Sequence, residues 1–279
     1  MKRIVITRWE TPGGARRSLD EVAVEEPLEL RVDTRPVAVV MRTPGHDPEL
    51  AVGFLVSEGI LQRRSDLREI RPHPRNRHGN VLDVFLAPDV TVDFSRLTRH
   101  VFASSSCGIC GRTSIASVRG QFSPVGDGFR ISPDRLLALP DSMRAAQTAF
   151  SATGGLHAAA LFGADGGLVG LREDVGRHNA VDKVIGQAFL DGRWPLGDFG
   201  LLVSGRTSFE IVQKALAAGI SLIAAVSAPS SLAVQFARQS GQTLVGFLRP
   251  GRFNVYAGMG RVGSGAGAGD HRWPIANGQ

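Results

Sequence analysis

The chain has 279 residues, a formal net charge of +6 and an apolar fraction of 43%. This length suffices for one large domain or two modest ones, and the composition excludes a wholly disordered chain. Only three of its 32 basic residues are lysines; because the planar arginine fork suits phosphates and carboxylates, an anionic partner is one interpretation, and genome composition is the other.

The sequence carries no signal for a membrane or for secretion. No run of eighteen apolar residues occurs, so no membrane-spanning helix is predicted. The start Met1-Lys2-Arg3 is followed by only a short apolar stretch, which is not the pattern of a secretory signal. We therefore expect a cytoplasmic protein, and its two cysteines exclude a disulfide scaffold.

The first part of the chain is predicted to be rich in strands. Residues 1–20 are interpreted as a flexible arm with at most one short strand. Strands at 22–32 and 36–41 form a predicted hairpin. A helix is predicted to begin with Asp47 as N-cap and Pro48 in its first turn and to end at Gly59. With two further strands near 67–71 and 81–86, residues 21–102 are expected to form a smaller strand-rich N-terminal α+β domain.

The second part of the chain alternates between strand and helix patterns. After a Gly/Ser-rich segment at 103–128, predicted to be a mobile loop, a helix is expected from Ser132 towards Phe150. Predicted strands lie at 156–162, 168–172, 199–203, 221–226 and 243–248, and predicted helices at 177–190, 208–218 and 231–239. This alternation predicts an α/β fold with a mostly parallel, helix-covered sheet over 129–257. Residues 258–279 are interpreted as a disordered tail.

The two cysteines form a single CxxC motif, Cys107 and Cys110. Arg112 and the glycine backbone could lower a thiol pKa there, which favours persulfide or redox chemistry. A zinc site needs about four ligands, and His157 and His178 are too far along the chain for finger spacing. We expect no metal site, although a metal and purely structural cysteines both remain open from the motif alone.

Polar turns follow four successive predicted strands, in segments 172–179, 204–208, 228–231 and 247–253. Ligands of open α/β sheets bind at the carboxyl ends of strands, where helix N-termini attract anions. The turns together favour one site for a large phosphorylated ligand. The alternative for the first turn is structural: Asp174 caps the helix and pairs with Arg172 or Arg177, and His178 is a buried structural histidine.

The last of these turns suits a purine nucleotide, because an aromatic ring can stack on the base while two guanidinium groups pair with phosphates. The turn runs through Phe247, Leu248, Arg249, Pro250, Gly251 and Arg252 to Phe253.

Five segments taken together resemble the FdhD family of formate dehydrogenase accessory sulfurtransferases. They are SCGICG (106–111), TGGLH (153–157), EDVGRHNAVDK (173–183), SGRTS (204–208) and RPGR (249–252). The third is highly specific, and the resemblance runs in order from about residue 22 to residue 256.

The resemblance implies a function, a cofactor and partners. A cysteine desulfurase would load sulfur onto Cys107 as a persulfide, with Cys110 as its partner. The sulfur would then pass to a molybdenum cofactor in its bis(molybdopterin guanine dinucleotide) form before insertion into the formate dehydrogenase catalytic subunit. The 247–252 turn would contact the dinucleotide, and GDP-like nucleotides are expected at the same place. A homodimer and a cytidine-deaminase-like layered core are also implied, with no nucleic acid partner; the H-x-E zinc signature of those deaminases is missing here.

Two other hypotheses stay open from the residues. A non-catalytic chaperone of the molybdenum cofactor would keep the arginine turns and tolerate loss of both cysteines. A thiol–disulfide oxidoreductase would oxidise Cys107 and Cys110 reversibly and would not bind nucleotides.

Overall fold

The computed structural model describes residues 1–74, 76, 79–97, 122–126 and 128–263. Its strands are β1 (Lys2–Glu10), β2 (Gly14–Val22), β3 (Glu26–Val32), β4 (Arg35–Arg42), β5 (Leu67–Pro72), β6 (Val81–Leu86), β7 (His157–Phe162), β8 (Leu168–Asp174), β9 (Gly200–Val203), β10 (Leu222–Ala225), β11 (Thr243–Arg249) and β12 (Arg252–Ala257). Its α-helices are α1 (Asp47–Ser57), α2 (Phe94–Leu97), α3 (Pro133–Ala146), α4 (Thr148–Thr153), α5 (Arg177–Leu190), α6 (Phe209–Ala217) and α7 (Ser231–Gln239).

An antiparallel hairpin of β1 and β2 occupies the amino terminus, where the sequence predicts a flexible arm. The two strands pair without a break from Lys2↔Val22 to Glu10↔Gly14. One face of this ribbon is open to solvent, with Trp9 75% exposed and Val5 and Leu19 exposed as well. The ladder hydrogen bonds therefore order a segment that buries little apolar surface.

A four-stranded sheet in the order β4-β3-β6-β5 follows the hairpin, and the predicted pairing of β3 with β4 is confirmed. Its core side chains belong to the same buried cluster as α1. Helix α1 begins differently from the prediction: His46, in the left-handed region at φ 60°, is its N-cap. The carboxylate of Asp47 instead accepts two hydrogen bonds of 2.9 Å from the buried Arg42 guanidinium.

The second sheet has six strands in the order β12-β11-β10-β9-β7-β8. Strands β9, β10 and β11 run parallel to one another, whereas β7, β8 and β12 pair antiparallel with their neighbours. The α/β class with a strand-rich N-terminal part is confirmed, but the mostly parallel sheet is wrong. The reason is the short turn at 163–167 and the Pro-Gly turn at 250–251, since hairpin connections reverse the strand direction.

Helices cover both faces of the six-stranded sheet. Helix α3 covers one face through Leu136, Leu139 and Met143, which pack in a cluster with Phe162 and Leu202. Helices α5, α6 and α7 contribute to the cluster on the other face, and α1 and the four-stranded sheet extend that cluster outward. One continuous core thus joins the N-terminal part to the C-terminal part. The predicted domain boundaries stay a prediction.

Helices α1 and α5 pack against each other through two glycines. A Cβ atom placed on Gly53 would lie 1.8 Å from the backbone oxygen of Asp182, and one on Gly186 would lie 1.8 Å from that of Glu49. Because glycine has no side chain, the two backbones can approach closely, and no larger residue fits at either position. A salt bridge also ties α1 to the neighbouring strand β8, with Nη2 of Arg172 2.8 Å from Oε1 of Glu49.

Two further segments differ from the sequence prediction. The predicted helix at 132–150 is two helices, α3 and α4, which are separated at the buried Gln147. The predicted tail begins with a short 3-10 turn, Met259–Arg261, in which Arg261 is buried. Residues 264–279 lie outside the described part. None of the described helices is long and apolar enough to cross a membrane.

Candidate functional site

The four predicted polar turns lie at one edge of the six-stranded sheet. Strands β9, β10 and β11 are parallel, so their carboxyl ends share this edge. Strand β7 runs in the opposite direction and places its first residue, His157, at the same edge. His157 pairs with Asp174, the last residue of β8. The topology therefore places turns from the whole range 172–253 at the same edge of the sheet.

Backbone hydrogen bonds hold neighbouring turns together. The Ser204 N–H donates to the Ala158 carbonyl at 2.9 Å, and the Thr207 N–H donates to the Ala228 carbonyl at 3.1 Å. Further along the edge, the Phe247 N–H donates to the Ser227 carbonyl at 3.1 Å. The edge is therefore a connected surface, which can present its side chains in fixed positions.

The turn after β8 is organised by a fully buried carboxylate, Asp174. It lies 2.7 Å from Nζ of Lys183 and accepts hydrogen bonds from the backbone N–H groups of Thr43 and Gly176 and from the Asn179 side chain. Its ion-pair partner is thus Lys183 and not Arg172 or Arg177. Because the Asp174 carboxylate is paired with Lys183 and fully hydrogen-bonded, it forms no ion pair with Arg177.

Arg177 and Arg206 lie close to His157 at the amino end of β7. A Cβ atom on Gly205 would lie 3.3 Å from Nδ1 of His157 and 3.7 Å from Cδ of Arg177, so the three segments approach one another closely at this glycine. Burial lowers the pKa of His157, and the charges of Arg177 and Arg206 lower it further against the weaker effect of Asp174.

A cleft of about 410 Å³ opens beside His157. It is lined by Gln147, Phe150, Gly154, Gly155, Leu156, His157 and Ser204. Its helical wall, α4, is held by Glu173, whose carboxylate accepts hydrogen bonds from the N–H groups of Ala149 (3.0 Å) and Phe150 (2.7 Å). A carboxylate at a helix N-terminus satisfies free N–H groups and the helix dipole.

A buried polar network lies behind this edge, between α5 and α6. Nε2 of His178 is 3.0 Å from Oγ of Ser208 and 3.5 Å from Oε2 of Glu210. Burial lowers the pKa of His178 to about 4, so its ring is neutral near pH 7. His178 is therefore a hydrogen-bonded structural histidine, in agreement with the structural alternative.

Lys214 forms the deepest ion pair of this network. Its Nζ atom lies 2.9 and 2.8 Å from the two carboxylate oxygens of Asp182, and Ser57 donates a further hydrogen bond to Asp182 at 2.8 Å. Burial opposes the charge of Lys214, but the carboxylates of Asp182 and Glu210 outweigh it and raise its pKa. The network therefore consists of paired charges within the core.

The predicted nucleotide turn joins β11 and β12 at the far end of the edge. Arg249 pairs with Arg252 across the hairpin, so both side chains project from the same face. Neither guanidinium has a carboxylate partner in the part of the chain that the structure describes. Phe247 is 36% exposed with φ 50°, whereas Leu248 is fully buried. Two arginines and one aromatic ring are thus available to a ligand.

The other predicted site residues, Cys107 and Cys110, lie outside the described residues, and their role stays a prediction. In the described ranges, no group of three or more His, Asp or Glu residues is placed to hold a metal ion.

Comparisons with known proteins agree with one another. The profile of the FdhD/NarQ family matches residues 23–263. The chain belongs to the FdhD/NarQ family. It is 52% identical to the sulfur carrier protein FdhD of Mycobacterium tuberculosis, over 92% of this chain and 94% of that protein. The protein of the same name from Streptomyces coelicolor is also 52% identical, over 87% and 89%.

A solved structure of low identity supports the same fold. A crystal structure from Desulfotalea psychrophila, assigned as a formate dehydrogenase accessory protein, superposes with a TM-score of 0.75 and 27% identity. It covers 94% of this chain, and the chain covers 98% of it. The family resemblance read from the five motifs is thereby confirmed.

The sequence did not predict that His157 lies beside Arg177 and Arg206, nor that Gln147 and Phe150 line the neighbouring cleft. The available signal for His157 was its place after two glycines at the start of a predicted strand. That signal is useful only once β7 is known to run against β9, because a parallel strand would have placed His157 at the opposite edge.

Proposed function

We propose that this chain is a sulfur carrier that serves formate dehydrogenase. It would take sulfur from a cysteine desulfurase and deliver it to the bis(molybdopterin guanine dinucleotide) form of the molybdenum cofactor. The observation that carries the proposal is the 52% identity, over 92% of the chain, to a protein named as a sulfur carrier. The CxxC motif at Cys107 and Cys110 supplies thiols for that task.

Loading is a thiol–persulfide exchange. The thiolate of Cys107 attacks the outer sulfur of the desulfurase persulfide, a new S–S bond forms on Cys107, and the desulfurase cysteine leaves as a thiolate. In delivery, the S–S bond of the Cys107 persulfide breaks and Cys107 returns to a thiolate. The reduced molybdenum centre of the cargo supplies the two electrons that convert the transferred sulfur atom into a sulfide ligand.

The 247–252 turn would hold a guanine nucleotide portion of the cofactor. Its two guanidinium groups, which have no carboxylate partner among the described residues, can each form charge-assisted bonds to a phosphate, and the exposed Phe247 ring can stack on a base. In the same proposal the protein is a homodimer, and its C-terminal part is a cytidine-deaminase-like core.

Intact-mass measurement tests the loading step. The purified protein is incubated with a cysteine desulfurase and cysteine, beside Cys107→Ala and Cys110→Ala. An adduct of one sulfur atom in the wild type, absent from Cys107→Ala, is the expected result. If the active desulfurase produces no adduct while guanine nucleotides still bind, the chain is instead a cofactor chaperone.

Calorimetry with GDP tests the nucleotide turn. The Arg249→Ala/Arg252→Ala variant is expected to bind GDP at least a hundredfold more weakly, since two charge-assisted contacts are lost. Arg8→Ala/Arg17→Ala, which removes two exposed arginines of the hairpin, is the matched control for net charge. Unchanged GDP affinity in the double variant would exclude this turn as the nucleotide site.

A further inference from the structure

Three basic side chains meet at the β7–β9 end of the edge, away from the predicted nucleotide turn. Gly205 has the His157 ring and the Arg177 side chain as its nearest neighbours. Arg206 follows in the same turn and, like Arg177, acts on the His157 ring as a positive charge. Neither arginine forms an ion pair with a carboxylate among the described residues.

Two buried polar side-chain atoms in this region have no hydrogen-bond partner among the described residues. Nε of Arg177 is buried and lacks a hydrogen-bond partner in the described part of the chain, and so does Oγ1 of the fully buried Thr207. Buried donors are normally paired, so an unpaired guanidinium nitrogen indicates that this arginine has hydrogen-bonding capacity left for an anionic group. The carboxylate of Asp174, whose charge acts on the His157 ring, is already paired with Lys183.

We propose that Arg177, Arg206 and His157 form a phosphate-binding site, separate from the 247–252 turn and opening onto the cleft of Gln147 and Phe150. Two guanidinium groups match the charge of a phosphate or pyrophosphate group and present donors in a fork geometry. The start of α5, directly after Gly176, adds free N–H groups and the positive end of the helix dipole.

The biological role of this site rests on the proposed function. The position of the site gives the same ligand a second place of contact. Strand β10 lies between β9 and β11, so the two arginine sites are separated by roughly 10 Å or more along the edge. The two clusters therefore occupy different positions along the edge, with one strand between them. The site at His157 would therefore hold a second phosphate group of a large phosphorylated ligand, and its cleft would hold the portion attached to that phosphate.

Calorimetry with inorganic pyrophosphate, GDP and guanosine tests the site on the full chain. Arg206→Gln is the main variant, because Arg206 is exposed and its replacement leaves the core intact. Pyrophosphate is expected to bind at least tenfold more weakly to Arg206→Gln and to Arg177→Gln than to the wild type. Arg8→Gln is the charge-matched control and should bind as the wild type does.

A second readout does not depend on affinity. The pKa of the His157 ring, followed by NMR, should rise when pyrophosphate binds, because an anion beside the ring stabilises its charged form. Arg177, Arg206, Asp174 and His178 are the other titrating or charged groups that act on or face this ring. The rise should be smaller in Arg206→Gln.

The outcomes separate this inference from the proposed function. Equal pyrophosphate affinity in Arg206→Gln and wild type, or a His157 pKa that does not move, would overturn the inference, even if Cys107 still acquires sulfur. Retained pyrophosphate binding in the Arg249→Ala/Arg252→Ala variant supports two separate sites. Binding of guanosine as tight as that of GDP would also contradict a phosphate site.

Discussion

Replacing Gly186 by alanine tests the close contact between α1 and α5. A Cβ atom at this position would lie 1.8 Å from the Glu49 carbonyl oxygen and 2.9 Å from the Gly53 nitrogen. Since an ordinary C···O contact is about 3.3 Å, the helices would have to separate by about 1.5 Å. The obstacle is backbone of a packed helix, so no side-chain rotation can relieve it.

The energetic cost follows from the packing that such a movement loses. Overpacking costs about 1–3 kcal/mol in typical cores and more where backbone must move. A radial gap of 0.5–1 Å already removes a quarter to a half of a dispersion contact. Alanine regains about 1 kcal/mol of helix propensity. We therefore expect Gly186→Ala to lower the free energy of unfolding by about 3 kcal/mol net.

Urea denaturation followed by circular dichroism measures this change. Gly260→Ala is the control, since nothing lies within 4 Å of a Cβ atom there, and it should change stability by less than about 0.5 kcal/mol. Gly53→Ala should cost about as much as Gly186→Ala, and the double variant less than their sum, because one helix separation relieves both clashes. If Gly186→Ala is as stable as the wild type, the helix contact described above is incorrect.

Three further predictions concern buried polar groups. His178 stays neutral in the folded protein down to about pH 4 but takes up a proton near pH 6.5 in the unfolded chain, so the free energy of unfolding should fall by about 2 kcal/mol between pH 7 and pH 5. Urea denaturation at the two pH values should show no such loss in His178→Gln. An equal loss in that variant would refute the lowered pKa of His178. Lys214→Met leaves the Asp182 carboxylate buried without its cation and should lower the free energy of unfolding by about 3–5 kcal/mol, and adding Asp182→Leu should restore most of this loss. Equal stability of the single and double variants would contradict the importance of this ion pair. Glu173→Ala removes the carboxylate at the start of α4 and should cost about 1 kcal/mol in thermal or urea unfolding, and no change would mean that the helix does not depend on it.

The sequence predicts the C-terminal elements well because their signals are local. Strand and helix patterns alternate with polar turns, and each predicted helix from residue 177 onward is found within one or two residues. Strand direction has no local signal of this kind, since it depends on which strands pair. The antiparallel course of β7, and with it the place of His157, therefore emerges only from the structure.

Two features of the sequence indicate the amino-terminal hairpin. Ile4, Val5 and Ile6 are β-branched residues of the kind enriched in strands, and Pro12-Gly13-Gly14 is a turn sequence. Long-range pairs are a different matter. The pairing of Asp174 with Lys183 joins the end of a strand to the second turn of a helix, whereas Arg172 and Arg177 are nearer to Asp174 in sequence. Only the fold decides between them.

The glycine contact between α1 and α5 has a consequence for the integrity of the chain. The N-terminal sheet and α1 share one buried cluster with α5, α6 and α7, so these parts are held together by side-chain burial and not by the peptide connection between them. If the polypeptide were cut between residues 97 and 122, the two fragments would stay associated. Fragments expressed separately should accordingly reassemble, with Gly53 and Gly186 at the close contact between their helices.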